Sequence, residues 1–198
     1  MKKRTLWLML FIVFLSSCES VKTDTGIGVY QEIQRIFNPS EINDLRVVVD
    51  FFDEIVCEVE GVEKNNVLEA YGKYFKRIEM STDTNVDIRI NYQKQRALYQ
   101  KIDSLTFNQI WKKKSSQSKI TGKFEYIILN SKGKYVKFLH ELGKSKPWVK
   151  DYVERFELAG DLLPSMVWYV LRHHEQFDMT DKRIRLLIAV HYLSLNEK

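Results

Sequence analysis

The four histidines are the residues of this 198-residue chain best suited to hold a metal ion. His173 and His174 are adjacent, so on a helix their side chains point about 100° apart and cannot share an ion as an i,i+4 pair does. His191 follows His174 by a turn and about ten helical residues, roughly 15 Å along the axis, far beyond coordination at about 2 Å. His140 has no companion. We predict no metal site and no bound cofactor, with His174 and His191 as hydrogen-bonded core side chains.

Carboxylates recur at helical spacing where Asp50, Asp53 and Glu54 stand at i, i+3 and i+4. Two carboxylates that flank a cleft can act as general acid and base when their environments push their pKa values apart. A hydrolase site could be built on Asp50 or Asp53 with a distant histidine. However, these residues line the polar strip of a helix with Arg46 one turn away, which is typical of a solvated acidic edge. We predict no catalytic residue in this group.

Cys57 lies in the same polar strip. A reactive thiolate requires a nearby cation or a helix N-terminus. The carboxylates of Asp53, Glu54 and Glu58 have the opposite effect, and the helix C-terminus predicted at Gly61 adds to it. We therefore predict an inert thiol. The sequence also lacks the Gly-x-Ser-x-Gly elbow of serine hydrolases and the glycine-rich loop that binds phosphate groups.

Lysine dominates the segment from 112 to 123, which we predict to be a polar loop. The segment contains no acidic residue and five lysines, Lys112, Lys113, Lys114, Lys119 and Lys123. Such a loop can bind an anionic partner or lipid headgroups, since each lysine near an anionic surface contributes about 1 kcal/mol. The alternative is a solvated loop without a ligand. We predict no nucleic-acid partner because the chain has no long basic face.

Apolar residues recur at helical spacing through most of the chain. This periodicity predicts helices over Val29–Phe37, Leu45–Val59, Val67–Ile78, Tyr92–Ile102, Tyr135–Leu142, Trp148–Phe156, Val167–His174 and Ile184–Leu195. The best strand candidate is Phe124–Leu129, and the alternating residues 86–90 are its expected mate. The pattern predicts a mainly α fold, a single globular helical domain with a small two-stranded β insertion.

Residues with known preferences for helix ends mark several boundaries. Ser40 is the predicted N-cap of the second helix, and Gly61 is its predicted C-cap. Gly160 is expected to end a later helix. Asp178 or Thr180 is expected to cap the last one.

The N-terminus has the pattern of an export signal. Basic residues 2–4 precede an unbroken apolar run, Leu6 to Leu15, which is shorter than the roughly 20 residues of a membrane span. Leu-Ser-Ser-Cys at residues 15–18 then resembles the lipobox of bacterial lipoproteins, a resemblance confined to the first eighteen residues. It implies cleavage before Cys18, a diacylglycerol on its sulfur and a fatty acid such as palmitate on the new amino end. Two or three acyl chains hold a protein stably on a membrane.

Cleavage would divide the chain into a signal peptide (1–17), a lipidated cysteine and tether (18–28), and a helical domain (29–198). Subtracting the three signal-peptide cations from the net charge of +5 leaves about +2, so the basic character is largely a targeting feature. With Cys18 lipidated, Cys57 has no partner within the chain, and we predict no internal disulfide.

These features predict a lipid-anchored protein of the bacterial cell envelope that acts as a non-enzymatic binding or accessory module. Its partner would be another envelope protein, an assembly machine, or a toxin neutralised by a tethered immunity protein. The alternative is an envelope hydrolase built from the distant carboxylates and a histidine. Glu19, directly after Cys18, favours an outer-membrane position facing the periplasm over the inner membrane or the cell surface.

Overall fold

A computed structural model describes residues 26–80, 90–118 and 122–196. Over these residues the helices are α1 Gln31–Ile36, α2 Pro39–Glu60, α3 Val67–Glu79, α4 Tyr92–Lys101, α5 Ser104–Ile110, α6 Lys134–Gly143, α7 Pro147–Ala159, α8 Pro164–Arg172 and α9 Lys182–Leu195. Between α5 and α6 lie two strands, β1 Trp111–Ser118 and β2 Gly122–Leu129. Short 3₁₀ turns cover Ile27–Val29, Lys64–Asn66 and His174–Gln176. The predicted mainly α fold with a small two-stranded insertion is confirmed.

Helix α2 has both ends fixed by local hydrogen bonds. The Asn38 side chain accepts from the backbone N–H of Glu41 at 2.9 Å, and the Asn38 N–H donates to the Glu41 carboxylate at 2.7 Å. This reciprocal capping box, with Pro39 at the first helical position, makes Asn38 the N-cap. The prediction of Ser40 as the cap is therefore wrong. Gly61 ends the helix in the left-handed region at φ +63°, as predicted.

Helix α9 lies at the centre of the domain. All eleven residues from Ile184 to Ser194 are buried. The helix begins after Asp181, whose side chain accepts a hydrogen bond from the N–H of the second helical residue at 2.9 Å. Neither Asp178 nor Thr180 is the cap, because these two residues bond to each other in the preceding turn, with the Thr180 N–H 3.0 Å from the Asp178 carboxylate.

Aromatic rings join α2 and α3 to α9. Phe52 of α2 stacks on Tyr192 of α9 with the ring centroids 5.9 Å apart, and Tyr74 of α3 meets the same ring edge-on at 5.8 Å. Such pairs contribute about 0.5–1.5 kcal/mol each beyond the area they bury. Helices α6 and α7 approach closely at Gly143, where an added Cβ would lie 3.0 Å from the Cα atom of Lys150. A side chain at this position would push the two helices apart.

The two strands form an antiparallel hairpin attached to the C-terminal end of α9. Trp111 pairs with Leu129 at the base of the hairpin, and both side chains are buried. The Trp111 indole N–H donates to the Ser194 hydroxyl at 2.8 Å, which fixes the base to α9. Residues 113–117 and 122–125 are exposed, so the outer half of the ribbon has solvent on both faces.

The hairpin corrects two predictions. Residues 112–118, expected in a polar loop, form strand β1, and this strand rather than 86–90 pairs with β2. Strand β1, which carries Lys112, Lys113 and Lys114, is stabilised by apolar and aromatic residues of β2, since Lys113 pairs with Ile127 and Lys114 with Tyr126. Residues 86–89 lie outside the described part of the chain. Ile90 is buried in the core and belongs to neither strand.

The described chain enters the domain through buried residues. Ile27 and Gly28, expected in the tether, are buried, and the Gly28 carbonyl accepts a hydrogen bond from the Gln34 side chain at 2.7 Å. The folded domain therefore includes residues 26–28. None of the helices in the described ranges has both the length and the apolar composition that a membrane crossing requires.

Candidate functional site

A cleft of about 920 Å³ opens between α4, α5 and the hairpin. This volume lies within the range of about 300–1,000 Å³ that small-ligand sites occupy. The helices contribute mainly polar and aromatic residues to its wall, namely Arg96, Tyr99, Gln100, Ser104, Phe107 and Asn108.

Two aromatic rings, Tyr99 and Phe107, line the base of the cleft and pack on the buried Trp111. Tyr99 lies 5.2 Å from Phe107 and 5.1 Å from Trp111, and Phe107 lies 5.5 Å from Trp111, all between ring centroids. The Tyr99 hydroxyl accepts a hydrogen bond from the Gln95 side chain at 2.9 Å, which holds the ring in place. Because Trp111 is fully buried and Tyr99 is partly exposed, a ligand would meet an aromatic surface supported by the core.

The hairpin forms the opposite wall. Directly paired residues share a face of a two-stranded sheet, so Lys113, Ile127 and Glu125 lie on the same face as the buried Trp111. All three line the cleft, as do Lys112 and Tyr126 from the other face.

Positive charge exceeds negative charge around the cleft. Arg96, Lys112 and Lys113 line it, against the single carboxylate of Glu125. The Arg96 guanidinium lies 5.0 Å from the Tyr92 ring centroid and donates to the Tyr92 hydroxyl at 3.0 Å. These contacts restrict the arginine near the rim, where a guanidinium can bind a carboxylate or phosphate with two parallel hydrogen bonds.

The structure separates the five predicted lysines. Lys112 and Lys113 line the cleft, whereas Lys114 and Lys123 lie on the hairpin outside it. Lys119 lies outside the described residues. The sequence analysis missed Arg96, Tyr99 and Phe107. Arg96 and Tyr99 stand at i,i+3 on a predicted helix, so their shared face was a usable signal.

The histidines occupy separate places. The His173 Nδ1–H donates to the Tyr169 carbonyl at 2.8 Å, and the His174 Nδ1–H donates to the Leu171 carbonyl at 2.6 Å. His191 is fully buried, as predicted for a core histidine, whereas His174, predicted to lie in the core as well, is only partly buried. The described residues contain no group of three or more His, Cys, Asp or Glu side chains suited to a metal ion.

His191 and His140 each contact a residue of α7. The His191 Nδ1 is hydrogen-bonded to the Tyr152 hydroxyl at 3.0 Å in the core. His140, which had no expected companion, lies with its Nε2 2.9 Å from a Glu157 carboxylate oxygen, and both side chains are nearly half exposed. This surface pair is remote in sequence from Asp50 and Asp53.

Asp53 belongs to a buried ion pair, so the prediction that it lies on a solvated edge is wrong. Its carboxylate accepts from the Arg185 guanidinium at 2.5 Å and from the Tyr71 hydroxyl at 3.0 Å. The Arg185 and Asp53 side chains are only 7% and 16% exposed. Burial raises the pKa of Asp53 to about 6, and the Arg185 charge opposes this rise. Asp50 and Glu54 are exposed, in agreement with the prediction.

Cys57 is buried within the same helix. Burial raises the pKa of its thiol, and the Asp53 charge adds to this effect while Lys64 opposes it. The thiol is therefore protonated at neutral pH and a poor nucleophile, as the sequence predicted.

Comparison with protein-family models, with curated proteins and with solved structures finds no match to this chain.

Proposed function

We propose that this protein is a lipid-anchored, non-enzymatic binding module of the bacterial cell envelope, and that it binds an anionic ligand in the cleft between α4, α5 and the hairpin. The observation that carries the proposal is the meeting of Arg96, Lys112 and Lys113 around an aromatic base. Cations beside a partly apolar concave surface favour a ligand that combines negative charge with apolar groups.

The anchor is supported by the sequence of residues 15–18, which lie outside the described residues. In this proposal the lipid on Cys18 holds the domain at the outer membrane, facing the periplasm. The ligand would then be another component of the envelope, such as a partner protein, part of an assembly machine or a toxin.

The hydrolase alternative receives less support from the geometry. The hydrogen bonds of Asp53 go to Arg185 and Tyr71, and neither partner is a histidine. The carboxylate–histidine contact that the structure does hold, His140 with Glu157, lies on the open surface. Both side chains are nearly half exposed, and neither residue lines the cleft between α4, α5 and the hairpin.

Lipidation is tested by metabolic labelling with a radioactive fatty acid. We expect the label on the wild-type protein and on Cys57→Ala, the matched control for loss of a cysteine. Cys18→Ala should carry no label and should remain uncleaved or leave the membrane fraction. Label retained by Cys18→Ala would refute the anchor.

Anion binding is tested with full-length lipidated protein in detergent, titrated with citrate, inositol hexakisphosphate and oligoglutamate. At least one should bind, and Lys113→Glu should weaken it roughly tenfold, because an attraction near the rim becomes a repulsion. Lys114→Glu is the matched control, since it makes the same charge change at the next residue of β1, which does not line the cleft. If no probe binds, or if both variants weaken binding equally, the cleft is not an anion site.

A further inference from the structure

We infer that the ligand of this cleft is an acidic, extended segment of a partner protein that also carries a large apolar side chain, bound at the end of α9 opposite the one where the chain enters the fold. This inference rests on the proposed function, which makes the cleft an anion site and Cys18 the anchor. It goes further by assigning the ligand to a protein rather than to lipid headgroups.

The first argument is chemical. The cleft has a basic rim, formed by Arg96, Lys112 and Lys113, over the aromatic base of Tyr99 and Phe107. Gln100, Asn108 and Ser104 also line the cleft, and their side-chain amides and hydroxyl can bind the N–H and C=O groups of an extended backbone. A polypeptide supplies carboxylates, an apolar side chain and backbone amides in one short stretch.

The second argument concerns shape. The anion-binding groups line a concavity between two helices and a hairpin. A planar bilayer contacts the groups that protrude most from a protein, whereas a narrow segment can enter a concave surface. Headgroup binding would be expected of the protruding outer hairpin, where Lys114 and Lys123 lie outside the cleft.

The third argument is the position of the cleft along α9. The Tyr30 hydroxyl accepts a hydrogen bond from the N–H of Lys182 at 3.3 Å, and the Arg183 guanidinium lies 4.3 Å from the Tyr30 ring centroid. The described chain therefore enters the fold at the N-terminal end of α9. Trp111, which packs against Tyr99 and Phe107 of the cleft, bonds to Ser194 near the other end. The eleven residue steps from Arg183 to Ser194 correspond to about 16 Å of helix, so the cleft and the chain entry lie at opposite ends of α9.

The test measures fluorescence anisotropy of a fluorescein-labelled peptide, Glu-Glu-Phe-Glu-Glu, with the full-length lipidated protein in nanodiscs. One nanodisc set contains phosphatidylcholine and the other adds phosphatidylglycerol. A second peptide with glycine in place of phenylalanine measures the contribution of the apolar side chain. Inorganic phosphate is added as a competitor to measure the effect of a free anion.

We expect the phenylalanine peptide to bind with the same Kd in both nanodiscs and the glycine peptide to bind roughly tenfold more weakly, because it buries no ring against the cleft base. Lys113→Glu should weaken the phenylalanine peptide roughly tenfold, and Lys114→Glu less than about twofold. Equal losses in the two variants, or equal affinity for the two peptides, would overturn the inference.

The remaining outcomes separate this inference from the proposed function. If the peptide fails to bind but phosphatidylglycerol nanodiscs or phosphate protect the cleft from a lysine-reactive reagent at Lys113, the cleft is an anion site and the peptide assignment is wrong. If neither peptide, lipid nor phosphate interacts with the cleft, the inference and the proposed function both fail.

Discussion

Replacing Asp53 with asparagine tests which of two opposing effects controls the pKa of this largely buried carboxyl group. Burial disfavours the charged form of Asp53, and the Arg185 guanidinium favours it. Burial wins, because the pKa of Asp53 rises from 3.8 to about 6 in the folded protein. Over the range between these values, the folded protein holds a proton that the unfolded chain has lost.

The sign of the pH dependence follows from this difference in bound protons. The stabilising contribution of Asp53 is fully present below pH 3.8 and is lost as the pH rises through about 6. A difference of one in pKa corresponds to about 1.36 kcal/mol of unfolding free energy. The difference of about 2.2 between the folded and unfolded states therefore gives a full loss of about 3 kcal/mol. Asp53→Asn has no proton to release at this position. The stability of the wild type relative to Asp53→Asn should therefore fall by about 2 kcal/mol between pH 4 and pH 7, which is most of the full change.

The assay is urea unfolding followed by circular dichroism at several pH values for the wild type and Asp53→Asn. Other carboxyl groups titrate in both proteins, so their contributions cancel in the difference. Glu54→Gln, which removes an exposed carboxylate on the same helix, is the matched control and should show no such trend. If the wild type instead gains stability over Asp53→Asn as the pH rises, the attraction of Arg185 exceeds the cost of burial and the reasoning is refuted.

Three other substitutions test single contacts by thermal or urea unfolding. Asn38→Ala should lower the free energy of unfolding by about 1 kcal/mol because it removes the capping box of α2. Ser40→Ala should change it by less than about 0.5 kcal/mol. Equal losses in the two variants would contradict the assignment of Asn38 as the cap. Tyr152→Phe should cost about 1–3 kcal/mol because it removes the hydroxyl bonded to His191 in the core, and an unchanged midpoint would show that this bond does not stabilise the fold. Gly133→Ala should lower the free energy of unfolding by about 1–3 kcal/mol, because the added Cβ would lie 2.1 Å from the backbone carbonyl oxygen of Gln109 in α5. An unchanged stability would mean that the backbone around Gly133 can move to make room.

The helices were predictable because their signals are local. The apolar spacing of α2, α3, α6 and α7 lies within each segment, and Gly61 and Gly160 end their helices in the left-handed conformation that glycine favours. The cap of α2 was misplaced because Asn38, Pro39 and Ser40 all suit a helix start. Only the pairing of Asn38 with a glutamate three residues later selects among them.

The hairpin and the cleft depend on contacts between distant residues. The lysine-rich strand β1 has little β propensity of its own, and its conformation depends on pairing with the apolar and aromatic residues of β2. Asp53 was placed on a solvated edge because its cation, Arg185, is 132 residues away in sequence. Arg96 could not be recognised as a site residue from its own helix alone, because the opposite wall of the cleft is formed by β1 and β2.

The central position of α9 bears on the order in which the domain can fold. Its hydrogen bonds join residues up to 152 positions apart, between Tyr30 and Lys182, and pairings of such long range form slowly. Every other described element is synthesised before α9, so a nascent chain leaves the ribosome with its central apolar groove empty. Until α9 arrives, α2 and α3 lack the surface against which their aromatic rings pack. If the protein is exported as proposed, a secretion channel that accepts only unfolded polypeptide would receive this chain before its core could close.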